Sequence, residues 1–312
     1  SAGTLPRGEM LIMGGDQVYP AASVKAYRDR TKGVYSAALP HADGKRPTLY
    51  ALPGNHDWYD GLTAFLRVFA QGRPFGGWGT AQTRSYFAIQ LPQGWWLYAL
   101  DTQFDDHIDA PQLEYFTEAA KHLEEGDTVI LCTPSPSWVN AHTEHGAEAW
   151  DTIEYFDANI VRPAGASIRV MLSGDKHHYS RYVERGGGRQ KVTCGLGGAY
   201  LTTTDELPKS VVLPPPTTRI RAAGPSTRYD LAARYPDKRQ SRRFAAGILR
   251  LPFRNPGFWG VAGILQSIIV LAALYGLSGP FGNSPRGFFA LVASWTPAVL
   301  IGVLVVVGWV AF

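Results

Sequence analysis

Three short apolar runs, each emptying into glycine and then into polar side chains, constrain this chain more than any other feature. The first is Met10-Leu11-Ile12-Met13, followed by Gly14-Gly15-Asp16-Gln17-Val18-Tyr19-Pro20. The second is Leu49-Tyr50-Ala51-Leu52, followed by Pro53-Gly54-Asn55-His56-Asp57-Trp58-Tyr59-Asp60. The third is Val170-Met171-Leu172, followed by Ser173-Gly174-Asp175-Lys176-His177-His178-Tyr179. Runs this short and this apolar read as buried strands, and the glycines turn the chain where each strand ends. Asn, Asp and Gly are also ordinary turn residues. The threefold repetition is what points to one cleft at one edge of a sheet.

The remaining chain alternates strands with helices, which excludes all-α and all-β folds. Helices are expected over 20–32 and over 60–71, where Leu62, Phe65, Leu66 and Phe69 recur at helical spacing. Strands are expected over 85–90, 95–100 and 128–132. Asp109-Ala110-Pro111 marks a helix start and Gly126 its end. A further helix is expected over 143–158, and closing strands over 191–194 and 199–203. The 312 residues, 45% hydrophobic, suffice for a sizeable core. Cys132 and Cys194 lie in apolar, strand-like contexts and read as buried thiols, which favours a reducing compartment.

The charge is unevenly spread. Residues 206–256 hold eleven Lys or Arg against three Asp or Glu, a balance of +8, while residues 1–205 stand at about −5. With Pro208, Pro214, Pro215 and Pro216, that basic span reads as a linker without a core. Residues 258–277 and 288–312 then run without charge except for Arg286 in the loop between them, each long enough to cross a bilayer. They are expected as a transmembrane helical hairpin, the basic span meeting anionic lipid headgroups and not a specific nucleic acid. The basic flank places the folded part on the cytoplasmic side. Ser1 directly before the first strand and Phe312 inside an apolar run are expected of a piece of a longer chain.

The order Gly14-Gly15-Asp16-Gln17-Val18-Tyr19, Gly54-Asn55-His56-Asp57, Gly174-Asp175-Lys176-His177-His178-Tyr179 resembles the calcineurin-like metallophosphoesterases over about residues 10–201. The likeness is greatest to large membrane-associated members, through Asn55-His56-Asp57-Trp58-Tyr59-Asp60-Gly61-Leu62, Ser85-Tyr86-Phe87-Ala88, Gly94-Trp95-Trp96 and Gly197-Gly198-Ala199-Tyr200-Leu201. The resemblance implies a four-layer α/β sandwich of two mixed sheets flanked by helices, over residues 1–205. It implies hydrolysis of a phosphate mono- or diester by a hydroxide on divalent ions (Mn, Fe or Zn, ideally two). By resemblance Asp16 bridges the ions, and Asn55, Asp175 and His177 are further ligands. His56 gives a proton to the leaving oxygen, with Asp57 orienting it.

Three departures keep a second reading open. Residues 1–15 hold no Asp or His for the family's first motif, Pro134 stands where the family usually has a ligating His, and Asp175 stands where a His is common. The alternative to a membrane-anchored phosphoesterase is therefore a degenerate, non-catalytic domain that binds a ligand. His178 reads as a packed residue, and Asp101 and His107 as surface turn residues.

Overall fold

The computed structural model describes residues 8–41, 44–102, 107–143, 146–195, 200–250 and 254–278. Two compact units divide the chain, Ser1–Phe244 and Ala245–Phe312. The first unit holds two sheets. β1 (Met10–Met13), β2 (Thr48–Ala51) and β3 (Gly79–Thr80) form a small parallel sheet in that order. The large sheet contains β4 (Phe87–Leu91), β5 (Trp95–Ala99), β6 (Thr128–Thr133), β7 (Ser167–Ser173), β8 (Tyr179–Glu184), β9 (Gln190–Cys194), β10 (Ser210–Leu213) and β11 (Thr227–Tyr235). Their order is β10-β11-β8-β9-β7-β6-β5-β4, with parallel pairing from β5 through β6 and β7 to β9 and antiparallel pairing elsewhere.

The side-chain alternation of strands builds the layers. In the small sheet Leu49 and Ala51 face helices, while Tyr50 and Ile12 face the large sheet. In the large sheet Leu97, Ala99, Ile130 and Cys132 meet them between the sheets. Trp96, Tyr98, Val129 and Leu131 point the other way, into a second helical layer. The outer layer on the small sheet comprises α1 (Val24–Ala26), a π-helical stretch (Tyr27–Lys32), α2 (Gly33–Ala38), α3 (Asn55–Trp58) and α4 (Thr63–Phe69). Tyr27, Phe65 and Phe69 from it are buried against Leu49 and Ala51. The outer layer on the large sheet comprises α5 (Ala110–Ala120), α6 (Ser137–Thr143) and α7 (Glu148–Phe156), which bury Phe116, Trp138 and Phe156. Each such aromatic contributes about 2–3 kcal/mol of apolar burial.

The architecture is thus four layers, helix–sheet–sheet–helix, with four corrections to the sequence reading. The small sheet is all-parallel, so only one of the two sheets is mixed. Residues 200–203 form no strand, and 196–199 lie outside the described residues. The basic span is no coreless linker up to residue 244: β10 and β11 extend the large sheet, and Val211, Leu213 and Tyr229 enter its core. Cys132 is buried, but Cys194 is exposed.

In the second unit, α8 (Pro256–Ser278) is 23 residues long and carries no charge. Its side chains beyond Val270 lie outside the described ones. Among the described residues no helix is long and apolar enough to cross a membrane, so the expected hairpin is not found. Its second run, 288–312, lies outside the described residues.

A chain cut after residue 205 loses β10 and β11, exposes the edge of β8 and uncovers part of the core. It is expected to aggregate or to show no cooperative unfolding. A soluble 1–205 fragment with a sharp urea transition would show that β10 and β11 are dispensable. Val211→Asp in the whole chain is expected to destabilise it by about 3 kcal/mol or more, read by the same unfolding.

Candidate functional site at the strand-end loops

The loops that follow β1, β2 and β7 meet. Gly15, at φ +124°, lies back to back with Gly54: a Cβ on Gly15 would stand 3.3 Å from both Cα and N of Gly54. A Cβ on Gly54 would stand 2.2 Å from Oδ1 of Asp16, so only glycine fits there without a shift. The third loop reaches the first at Gly174, where a Cβ would lie 3.3 Å from the Gly14 carbonyl. Gly174 N–H donates to the Pro134 carbonyl at 3.0 Å. Pro134 thus serves this junction through its backbone oxygen.

Asp16 and Asp175 both hold left-handed backbone, φ +52° and +54°, which is uncommon outside glycine. Such strain concentrates at functional sites. Asp16 Oδ1 accepts the His56 backbone N–H at 3.0 Å. Burial pushes the Asp16 carboxyl above the usual carboxylate range, opposed by that hydrogen bond and by the charge of His56; the charge of Asp175 raises it further and that of His177 lowers it. His56, Asp175 and His177 therefore lie within electrostatic reach of Asp16.

His56 stands on α3, with its ring 4.4 Å from Tyr19 and 4.9 Å from Tyr59, centroid to centroid. Its Nδ1 is bonded to the Pro20 carbonyl. A carbonyl only accepts, so Nδ1 carries the proton and Nε2 is the nitrogen left for exchange. The sequence reading gave that orienting role to Asp57, and here the structure differs. Successive residues on a helix diverge by about 100°, so Asp57 points inward while His56 points out. Asp57 is fully buried and accepts from Gly54 N–H at 2.8 Å, from Gln17 N–H at 3.2 Å and from the Tyr27 hydroxyl. Burial pushes its carboxyl up to about 6, against the pull of those hydrogen bonds.

The other expected residues are placed as follows. Asn55 opens α3 and is half-buried, with no hydrogen bond from its amide among the described residues. Asp175 is exposed. His177 meets Tyr200 edge to face, ring centroids 4.6 Å apart, and its buried Nδ1 has no hydrogen-bond partner among the described residues. His178 is buried with Nδ1 3.1 Å from Thr202 Oγ1, and burial, then the charges of Lys176 and His177, pull its ring down to about 4. Asp101 is no surface turn residue: it is buried and accepts the Trp58 indole N–H at 3.0 Å. His107 is exposed. Sequence reasoning missed Tyr27, Gln17 and the Pro20 carbonyl, none of which belongs to a ligand-type pattern. It also missed Tyr19, Tyr59 and Tyr200 as ring partners of the histidines, although all three adjoin the motifs.

The donor set does not fit the two-metal centre the resemblance implies. Among the described residues no three His, Cys, Asp or Glu stand close enough together to hold an ion. Two ring nitrogens, Nδ1 of His177 and Nε2 of His178, are buried without a hydrogen-bond partner among the described residues, which is short of a metal group.

No protein-family model matches the chain, and no curated protein does. Among solved structures, it is similar to the protein described as "GAP50 the anchor in the inner membrane complex of Plasmodium", at 11% identity and a TM-score of 0.46 over 76% of this chain and 83% of that one. It is also similar to the purple acid phosphatase PPD1 from yellow lupin (Lupinus luteus) seeds, at 12% identity and a TM-score of 0.35, over 62% of this chain and 37% of that one. At these values neither likeness carries an inference about this chain.

Asp57→Ala is expected to cost about 3 kcal/mol or more, because it strands three donors in the interior. Gly54→Ala is expected to cost about 1–3 kcal/mol, because its new Cβ displaces the Asp16 carboxylate. Urea unfolding of both variants checks this; wild-type stability in either would show that the two loops are not locked together.

Proposed function

We propose that the three strand-end loops bind a phosphate ester and that the chain is a phosphoesterase tethered to a membrane. The observation that supports this is His56, whose Nδ1–H is fixed on the Pro20 carbonyl and whose Nε2 is left free beside the Asp16–His177 cluster. Held so, the doubly protonated ring gives its Nε2 proton to the departing alkoxide or aryloxide as water adds to phosphorus, and Nε2 takes up the proton that this water releases. The Tyr19 and Tyr59 rings keep it in plane and in place. Divalent ions, Mn, Fe or Zn, are the cofactors the resemblance implies. Asp16, Asn55, Asp175 and His177 are the donors that would meet them, short of the set a two-metal centre needs among the described residues.

A second reading, ester binding without turnover, is favoured by one observation, the lack of a three-residue metal group among the described residues. Full-length protein supplied in turn with Mn, Fe, Zn, Ni and Mg is expected to hydrolyse a generic aryl phosphate. If it binds the ester and releases no product with any of them, the binding reading stands instead.

His56→Ala is expected to slow esters with basic leaving groups far more than those with acidic ones, since the departing basic oxygen depends most on a proton. Equal losses on both would make His56 a positioning residue for the phosphoryl group.

The proposed tether is the uncharged sequence runs 258–277 and 288–312, preceded by Arg239, Arg242, Arg243, Arg250 and Arg254. Basic residues beside a span stay cytoplasmic, and they suit anionic headgroups on that side. Protease added to intact cells is expected to leave the 1–244 unit whole. Its removal without lysis would put the unit on the outer face.

A further inference from the structure

On the helix-covered face of the large sheet, away from the β1, β2 and β7 loops, lies a buried ammonium with no carboxylate in direct contact among the described residues. Lys191 on β9 is 4% exposed, between Met171 on β7 and Tyr182 on β8 in the strand register. Its ammonium makes one hydrogen-bond contact, to Met171 Sδ at 3.0 Å, and a thioether is a weak acceptor. The rings of Trp150 and Tyr229 lie 5.3 and 5.2 Å away. Among the described residues no carboxylate stands within ion-pair distance of it. Burial pulls the ammonium down to about 7, which measures how little those contacts replace of its hydration.

The nearby carboxylates are engaged elsewhere. Glu154 accepts from Arg162 at 2.8 Å, from the Trp150 indole at 3.0 Å and from Gly224 N–H at 2.9 Å. Asp157 lies 3.2 Å from Arg162 Nε. Glu184 holds Arg189. The ammonium faces a cavity of about 130 Å³, whose lining includes Lys191, Arg162 and Arg189 as cations and Glu154 and Asp157 as carboxylates. The three cations are matched in number by Glu154, Asp157 and Glu184, but Arg162 takes two of those carboxylates and none stands at the Lys191 ammonium. Arg162 Nε and Asp157 Oδ1, in the same lining, make no hydrogen bond among the described residues; the 3.2 Å approach of Nε to Asp157 is an ion pair without hydrogen-bond geometry. A buried charge without a partner in direct contact is costly, and this cavity has room for one. It is too large for a single water.

We propose that this cavity is a ligand site for a small oxyanion, a carboxylate or a phosphate, bound to Lys191 between the faces of Trp150 and Tyr229. The anion supplies the missing partner of the ammonium, and the aromatic walls exclude water from the pair, which strengthens it. The proposal does not depend on the strand-end loops.

Isothermal titration of the full-length protein with acetate, and separately with inorganic phosphate, tests it and separates the two sources of oxyanion. At least one is expected to bind, with an affinity that Lys191→Met lowers about tenfold or more, the weight of a charged hydrogen bond. Lys121→Met, an exposed lysine that does not line the cavity, is expected to leave that binding unchanged. No binding of either anion by the wild type means that the cavity holds water, and overturns the proposal; equal binding by Lys191→Met does the same. Should that variant fail to fold, reductive methylation of the wild type with mass-spectrometric readout decides. The bound anion is expected to protect Lys191, and an unchanged methylation rate at that residue would overturn the site.

Discussion

The carboxylate of Asp57 takes hydrogen bonds from the loop after β2, through Gly54, from the loop after β1, through Gln17, and from the helical layer, through Tyr27. Without it, two glycine-rich turns and a four-residue helix would have little to fix them. Short helices have no stability of their own, and glycine gives the backbone more freedom than any other residue. The buried acid converts those turns into a rigid platform. On that platform Gly54 admits the Asp16 side chain, Asp16 takes the His56 backbone N–H, and His56 is turned outward. The third loop joins through Gly174, against Gly14 and Pro134.

Much of this was legible in the sequence, for a physical reason. Strands buried between layers are short and apolar, and β1, β2 and β7 run into glycine, so these three and the apolar β6 announce themselves. β8 and β11 do not, because charged residues interrupt them: Arg181, Glu184, Arg228, Asp230 and Arg234 dilute the apolar signal. Their inward residues, such as Ser180, Tyr182 and Tyr229, form a pattern only once the sheet is known. The prolines at 214–216 and the arginines around them suggested a linker for the same reason. Adjacent motif residues were harder still. His56 and Asp57 read as a catalytic pair from their proximity in sequence, but helical geometry sends them to opposite sides.

The chemistry is less complete than the loop geometry. Strain at Asp16 and Asp175, the raised carboxyl of Asp16 and the orphaned His177 nitrogen all gather at one junction, which is what a functional site requires. A metal centre requires more donors than the described residues bring together. Hydrolysis and bare binding share the same platform and the same orientation of His56. They differ in whether an attacking water is activated there.

A crystal structure of the full-length protein with tungstate, an analogue of phosphate visible by anomalous scattering, tests whether that junction is the site. Tungstate is expected within about 3 Å of His56 Nε2, among the loops that follow β1, β2 and β7. Ordered tungstate elsewhere, with those loops bare, would contradict the account.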